Sequence, residues 1–271
     1  MQKTIFITGA SAGLGKATAK LFQSKGWNVV ATMRNPENET ELITSEKVLV
    51  TKLDVLDLGS ITSAVNQGIQ KFGKIDVLVN NAGYGAYGTL ESFPRDRIIR
   101  QFNTNVIGLL DVTKALLPHF RQNKEGVIIN ISSIGGKLAF PLGSLYHGTK
   151  FAVEGISEAL NYEVEQFGGK VKIIEPGAIA TDFTSRSLDF SNNESLVAYQ
   201  TIVGKVMTAL PTLYQNAASA TSIANVIYEA ATDNANRLRY AAGEDAKTFI
   251  ANRKQSDDET FFGGVKAQFG L

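Results

Sequence analysis

The sequence contains no cysteine, which removes disulfide frameworks, thiolate metal sites, iron–sulfur clusters and cysteine nucleophiles together. Its two histidines, His119 and His147, are too few for an imidazole-rich metal site or a dense histidine acid–base network, so no metal is expected. An excess of charge of either sign is also missing, with 27 Lys and Arg against 26 Asp and Glu. That balance supplies no field for nucleic acid or an acidic lipid surface, and neither is expected as a partner. No stretch approaches the roughly 18 apolar residues of a membrane span; residues 127–131 are typical of the longest clean runs. The apolar run at residues 4–8 is too short for a signal-peptide core, so a soluble cytoplasmic protein is the expectation. What remains is ordinary globular composition, 44% hydrophobic and 20% charged over 271 residues, which argues against wholesale disorder.

Short β-branched runs alternate with longer segments of helical period. Strands are expected at 4–8, 28–33, 48–53, 77–80, 127–131, 171–175 and 239–242, and helices at 13–24, 60–72, 96–120, 145–167 and 222–231. Several strands are apolar without alternation, as in Val127-Ile128-Ile129-Asn130-Ile131, the pattern of strands covered on both faces. The β-α-β-α order predicts an α/β, doubly wound parallel sheet, Rossmann-like, with helices on both faces. No repeat or linker divides the chain, so residues 1–271 are read as one domain. Residues 183–213 break the rhythm, with Ser, Thr, Asn and Pro211 among scattered apolar positions. They are expected to form a small helical lid, or else an irregular excursion. Residues 244–271 read as a C-terminal extension that packs on the core or forms a subunit contact.

The first strand runs into Thr8-Gly9-Ala10-Ser11-Ala12-Gly13-Leu14-Gly15-Lys16 and then a helix. Glycines at 9, 13 and 15 permit a tight turn and bring backbone N–H groups close to a pyrophosphate at the helix N-terminus. A P-loop is excluded, because the spacing before Gly15-Lys16 is wrong and no Ser or Thr follows Lys16. The second strand ends in Met33-Arg34-Asn35, with no carboxylate before Glu37. An acidic residue there would favour NAD, whereas an Arg accommodates the 2′-phosphate of NADP. Further on, Tyr146 and Lys150 stand at i and i+4, on one face of a helix. An ammonium near a phenol favours the phenolate, so the pair is expected to lower the Tyr146 pKa and serve as an acid or base. Ser132 and Ser133 lie at the end of the preceding strand and would face the same cleft.

On these residues the chain resembles the short-chain dehydrogenase/reductase family, in its compact oxidoreductase branch, over residues 4–245. The glycine loop, Asn80-Asn81-Ala82-Gly83, Asn105, Ser133, Tyr146 with Lys150, and Pro176-Gly177 with Thr181 carry the resemblance. It implies that Tyr146 exchanges a proton with the substrate oxygen, Lys150 supports that exchange and binds the nicotinamide ribose, and Ser133 orients the carbonyl. Asn105 would hold a water linking Lys150 to solvent. Gly9, Ser11, Gly13, Leu14, Gly15, Arg34, Asp54, Asn81, Ala82, Gly83, Pro176, Gly177, Ile179 and Thr181 would line the cofactor site. The expected activity is hydride transfer between NADP(H) and a carbonyl or secondary alcohol. The alternatives are an NAD-preferring alcohol dehydrogenase and a non-catalytic NADP(H)-sensing protein. Tyr84, Tyr87, Phe140, Leu142 and Phe183 are candidates for an apolar substrate pocket, with Arg186 in the lid. A homodimer or homotetramer through the 96–120 and 145–167 helices is also implied.

Overall fold

The computed structural model describes residues 2–42, 45–181 and 186–271. Its centre is a seven-stranded sheet in the order β11-β7-β6-β4-β1-β2-β3, with every neighbouring pair parallel. The strands are β1 (Thr4–Ile7), β2 (Asn28–Met33), β3 (Val48–Lys52), β4 (Val77–Asn80), β6 (Gly126–Ile131), β7 (Gly169–Pro176) and β11 (Arg239–Ala242). Three match the sequence reading to the residue, and the others differ by at most two residues at an end. Because successive side chains in a strand point to opposite faces, each strand contributes to two cores. Ile5, Ile7, Val29 and Ala31 pack under α1 (Gly13–Ser24) and the later helix Ala220–Thr232. Phe6, Val30 and Leu78 pack under α2 (Leu58–Phe72), α4 (Gly108–Asn123) and α5 (Ser144–Glu165).

The order in which strands are added reverses across the β1–β4 pair: β2 and β3 lie to one side, β6, β7 and β11 to the other. In an open parallel sheet such a switch point leaves a crevice beyond the carboxyl ends of the strands. The segment expected as one helix over 96–120 has a break in it. Helix α3 (Arg95–Phe102) passes through a π turn at Asn103–Ile107 before α4 begins, and Asn105 sits in that turn. Periodicity does not register one extra residue in a turn, and π turns frequently mark functional sites.

Residues 186–213 are more regular than the composition of the 183–213 segment suggests. Strand β9 (Leu188–Ser191) pairs in parallel with β5 (Gly85–Gly88), and helix α6 (Val197–Tyr214) runs straight through Pro211. Two-residue strands β8 (Ile179–Ala180) and β10 (Ala218–Ser219) pair beside it. After α7 (Ala220–Thr232) and β11, the C-terminal extension forms two helices, α8 (Glu244–Gln255) and α9 (Asp258–Gln268). Among the described residues no helix is long and apolar enough to cross a membrane.

Beneath the crevice the two asparagines of β4 and β6 make a buried polar ladder. Asn80 Nδ2 donates to Thr113 Oγ1 at 2.8 Å and to Asn130 Oδ1 at 2.9 Å, and Asn130 Nδ2 donates to Ser157 Oγ at 2.9 Å. This joins the two central strands to α4 and α5 where no water can substitute. Asn130→Ala is expected to lower the unfolding free energy by about 2–3 kcal/mol, read by urea denaturation, because it strands partners that are fully buried.

Candidate active site

The first turn is built from glycine for reasons of space as well as conformation. Gly9 and Gly13 have φ of 70° and 53°, in the left-handed region that glycine enters without strain. A Cβ on Gly15 would lie 2.3 Å from the Gly9 carbonyl oxygen and 2.6 Å from Asn81 Nδ2. Ala12 caps α1 without a side-chain hydrogen bond, and no acidic residue occupies the first turn. The N-terminal N–H groups of α1 are therefore left for an external anion. The loop is clamped from β4: Thr8 Oγ1 accepts the N–H groups of Asn81 and Ala82, both at 3.0 Å, and Asn81 Nδ2 donates to the Thr8 carbonyl at 2.9 Å. These features fit the pyrophosphate of a dinucleotide.

At the tip of β2, Arg34 is exposed and lines the cavity, whereas Glu37 does not line it. Glu39 is buried, paired with Lys16 at 3.1 Å and accepting the N–H of Leu42 at 3.1 Å, so it too is withdrawn. Asp54 lines the same end, its Oδ1 accepting the Leu56 N–H at 3.0 Å.

One cavity of about 740 Å³ extends from this loop to the start of α5. Every residue named above for the catalytic and cofactor sites lines it, with the exception of Asn105. Tyr146 is hydrogen-bonded to the Ser133 side chain. Lys150 Nζ donates to the Ile131 carbonyl at 2.8 Å and lies 5.7 Å from the centre of the Tyr146 ring. Ser133 Oγ also accepts the Gly135 N–H at 3.0 Å. Ser132 lines the same cavity, but its buried hydroxyl has no hydrogen-bond partner.

One expectation is corrected here. Burial pushes the Tyr146 phenol up to about 12, against the Ser133 hydrogen bond, and brings Lys150 down to about 8. The net shift of Tyr146 is therefore upward and not the expected downward one, because desolvation, the largest cause, penalises the charged form. The Asn105 side chain is engaged by the protein. Its Oδ1 accepts the Tyr84 N–H at 3.0 Å, and its Nδ2 donates to the Tyr84 carbonyl at 2.8 Å and to Thr149 Oγ1 at 3.2 Å.

Of the apolar candidates, Tyr84, Tyr87, Phe140 and Leu142 line the cavity, as does Arg186, while Phe183 lies outside the described residues. The sequence reading missed Met207, Leu210 and Tyr214 on α6 as individual residues, and Phe249 and Phe269 in the C-terminal extension, all of which line it. No motif marks them, since apolar residues at helical spacing look the same in a core and in a pocket wall. His147 also lines the cavity, but the 134–142 loop engages both of its ring nitrogens: its Nε2 accepts the Phe140 N–H at 3.1 Å and its Nδ1 donates to the Gly135 carbonyl at 3.0 Å. It braces the 134–142 loop, and burial brings its pKa down to about 4.

Comparison with known proteins agrees with this architecture. The family model for short chain dehydrogenases matches residues 3–193. An uncharacterized oxidoreductase of Schizosaccharomyces pombe is 46% identical over 244 residues, covering 88% of this chain and all of that protein. The crystal structure of a short-chain dehydrogenase from Streptomyces avermitilis is 34% identical, with a TM-score of 0.86 over 100% of this chain and 99% of that one. ElxO with NADP bound is 28% identical, with a TM-score of 0.74 over 92% and 100% of the two chains. A 3-ketoacyl-(acyl-carrier-protein) reductase from Brucella melitensis, complexed with NADH, is 25% identical, with a TM-score of 0.73 over 88% and 96%. The chain belongs to the short-chain dehydrogenase family and is an oxidoreductase of that family, whose related structures hold either NADP or NAD.

Two predictions follow from the geometry. Gly15→Ala is expected to weaken NADPH binding by at least about tenfold in a fluorescence titration and to lower the melting temperature, because its Cβ would meet the Gly9 backbone within the turn itself. His147 is held neutral in the folded protein, while the unfolded chain takes up its proton near the ordinary value of 6.5. Its contribution is therefore complete above pH 6.5 and is lost as pH falls toward 4, at up to about 1.4 kcal/mol per pH unit. Urea melts at neutral and mildly acidic pH should show a smaller acid-side loss in His147→Gln than in the parent protein.

Proposed function

We propose that the protein transfers hydride between NADP(H) and a carbonyl or secondary alcohol, with Tyr146 as the proton donor or acceptor. The observation that carries this reading is the meeting of Ser133, Tyr146 and Lys150 in the same cavity as the glycine loop. The bound nicotinamide would supply the hydride, delivered to the carbonyl carbon or taken from the carbinol carbon. Gly9, Ser11, Gly13, Leu14 and Gly15 would cradle the pyrophosphate, and Asp54 would meet the adenine. Asn81, Ala82, Gly83, Pro176, Gly177, Ile179 and Thr181 would hold the nicotinamide end. Arg34 supports NADP over NAD, because it is the charged side chain at the β2 tip that faces the cavity while Glu37 and Glu39 do not compete.

For reduction, Ser133 orients the substrate oxygen toward Tyr146, which hands its phenolic proton to that oxygen. The phenolate left behind is stabilised by the Lys150 ammonium on the next turn of α5. The raised Tyr146 pKa keeps the proton available through the neutral range. Asn105 acts through Tyr84 and Thr149 as a positioning residue. As part of the same reading, the exposed Ile99 and Phe102 on α3, Ile107 in the π turn and Phe151 on α5 are the surface through which copies of the chain would associate.

Tyr146→Phe is expected to lower kcat for ketone reduction by about 10²–10⁴-fold while leaving NADPH affinity unchanged; full activity in that variant would remove Tyr146 as the acid. Arg34→Asp should raise KM for NADPH by about 10–100-fold and not that for NADH, and an equal effect on both would favour the NAD alternative. Reduction should hold steady at neutral pH and fall as Lys150 loses its proton above about pH 8, whereas alcohol oxidation rises over the same range. Tight NADPH binding without turnover across a broad panel of ketones would point to a sensing protein.

A further inference from the structure

We propose that the substrate is a neutral ketone or secondary alcohol carried on a long or bulky apolar body, and that Phe140, Phe249 and Phe269 form the wall that selects it. This rests on the oxidoreductase reading above and deepens it. Beyond Tyr146 the cavity is bounded by those three phenylalanines together with Val206 and Leu213 of α6. All five belong to a single apolar cluster that α8 and α9 complete from behind with Ile250, Phe261 and Val265.

The wall is fixed in place rather than assembled by a ligand. Phe140 meets Phe249 edge to face, with ring centres 5.5 Å apart, and meets Phe269 at 6.0 Å. Its backbone N–H is held at 3.1 Å by His147, the neighbour of the proposed acid. Lys205 on α6 donates to the Gly270 carbonyl, tying the lid helix to the end of α9. Phe269 is thus lodged between the lid and the 134–142 loop, facing the space a substrate body would enter.

Charge is placed elsewhere around this cavity. Arg34 and Asp54 lie at the β2 and β3 end, and Arg100 and Arg186 are exposed. Asp189 is engaged by Arg97, and Asp245 accepts the Ala178 N–H at 2.7 Å. A carboxylate or phosphate carried among the phenylalanines would lose its water without gaining a counter-ion. An alkyl or ring body gains with every carbon it buries, by about fourfold in affinity per methylene.

The test uses the full chain with NADPH and a series of methyl ketones from butanone to dodecanone, alongside oxo-acids of matching length with a terminal carboxylate. The expected result is a rise in kcat/KM of about threefold to fourfold per methylene until the chamber is filled, with each oxo-acid at least about tenfold poorer than its ketone. Phe269→Ala should move the plateau to longer ketones and lower the rate on those of intermediate length; its melting temperature is read alongside, and the series on the unsubstituted protein stands without it. Rates independent of chain length, or a preference for the oxo-acids, would overturn the apolar chamber and leave the reductase reading intact. If no ketone turns over, titration calorimetry with the same ketones separates the two. Binding that strengthens with length sustains the chamber and places the fault in the reductase reading, and no binding overturns the chamber.

Discussion

Where β1 and β4 end side by side, the hydroxyl of Thr8 accepts two backbone N–H groups from the neighbouring loop, and Asn81 returns hydrogen bonds to the carbonyls of Thr8 and Gly9. The glycine turn and the 81–83 loop are therefore one body, and Gly15 must be glycine because that body leaves no room for a Cβ. The constraint continues outward. Asn105 holds both backbone polar groups of Tyr84 and reaches Thr149, whose hydroxyl donates to the Tyr146 carbonyl at 2.7 Å. A run of buried hydrogen bonds and short chain segments thus connects the anion-binding turn to the helix that carries the proposed acid. Proximity catalysis depends on such fixed spacing, since a misplacement of about 1 Å between reacting groups costs about 10²-fold.

The same enclosure governs the site's acid–base balance. Desolvation raises Tyr146 and lowers Lys150, so one physical cause acts in opposite directions on a phenol and an ammonium and keeps each nearer to neutral. A simple pairing argument overlooks this, because it counts the attraction between two charges without the cost of burying them. In the proposed reaction, Tyr146 held as a neutral phenol would be suited to giving a proton away, and Lys150 would stabilise the phenolate as it forms. Ser133 is placed to share that developing charge, since it already bonds Tyr146.

Much of this was legible in the sequence, for identifiable reasons. Strands covered on both faces advertise themselves as largely apolar runs, which is why β2 and β4 match to the residue. Glycine positions were readable because steric exclusion leaves no substitute for Gly15. The π turn at Asn103–Ile107 was not readable, because its extra residue leaves the apolar pattern of α3 and α4 in phase. Nor was the duty of Asn105, whose side chain serves a backbone segment some twenty residues away, a contact that only the fold creates. Composition misled over residues 186–213, where a strand pairs with β5 and a helix entered through Leu196, without a side-chain cap, continues through Pro211.

The pocket wall lay furthest from sequence reasoning, and the reason is structural. The short chain dehydrogenase model matches residues 3–193, a stretch that holds the glycine turn, Tyr146 and Lys150 but not α6, α8 or α9. Those helices answer to packing alone, and packing tolerates many apolar residues of similar volume. Yet they are not a separate appendage. Asp245, at the start of α8, accepts the N–H of Ala178, and a Cβ on Gly177 would lie 2.0 Å from its carboxylate. The loop after β7 that faces the cofactor end is thus held by the same extension that sets Phe249 and Phe269 against Phe140. A change in the extension would reach both ends of the cavity at once, coupling the shape of the apolar wall to how firmly the loop after β7 is held.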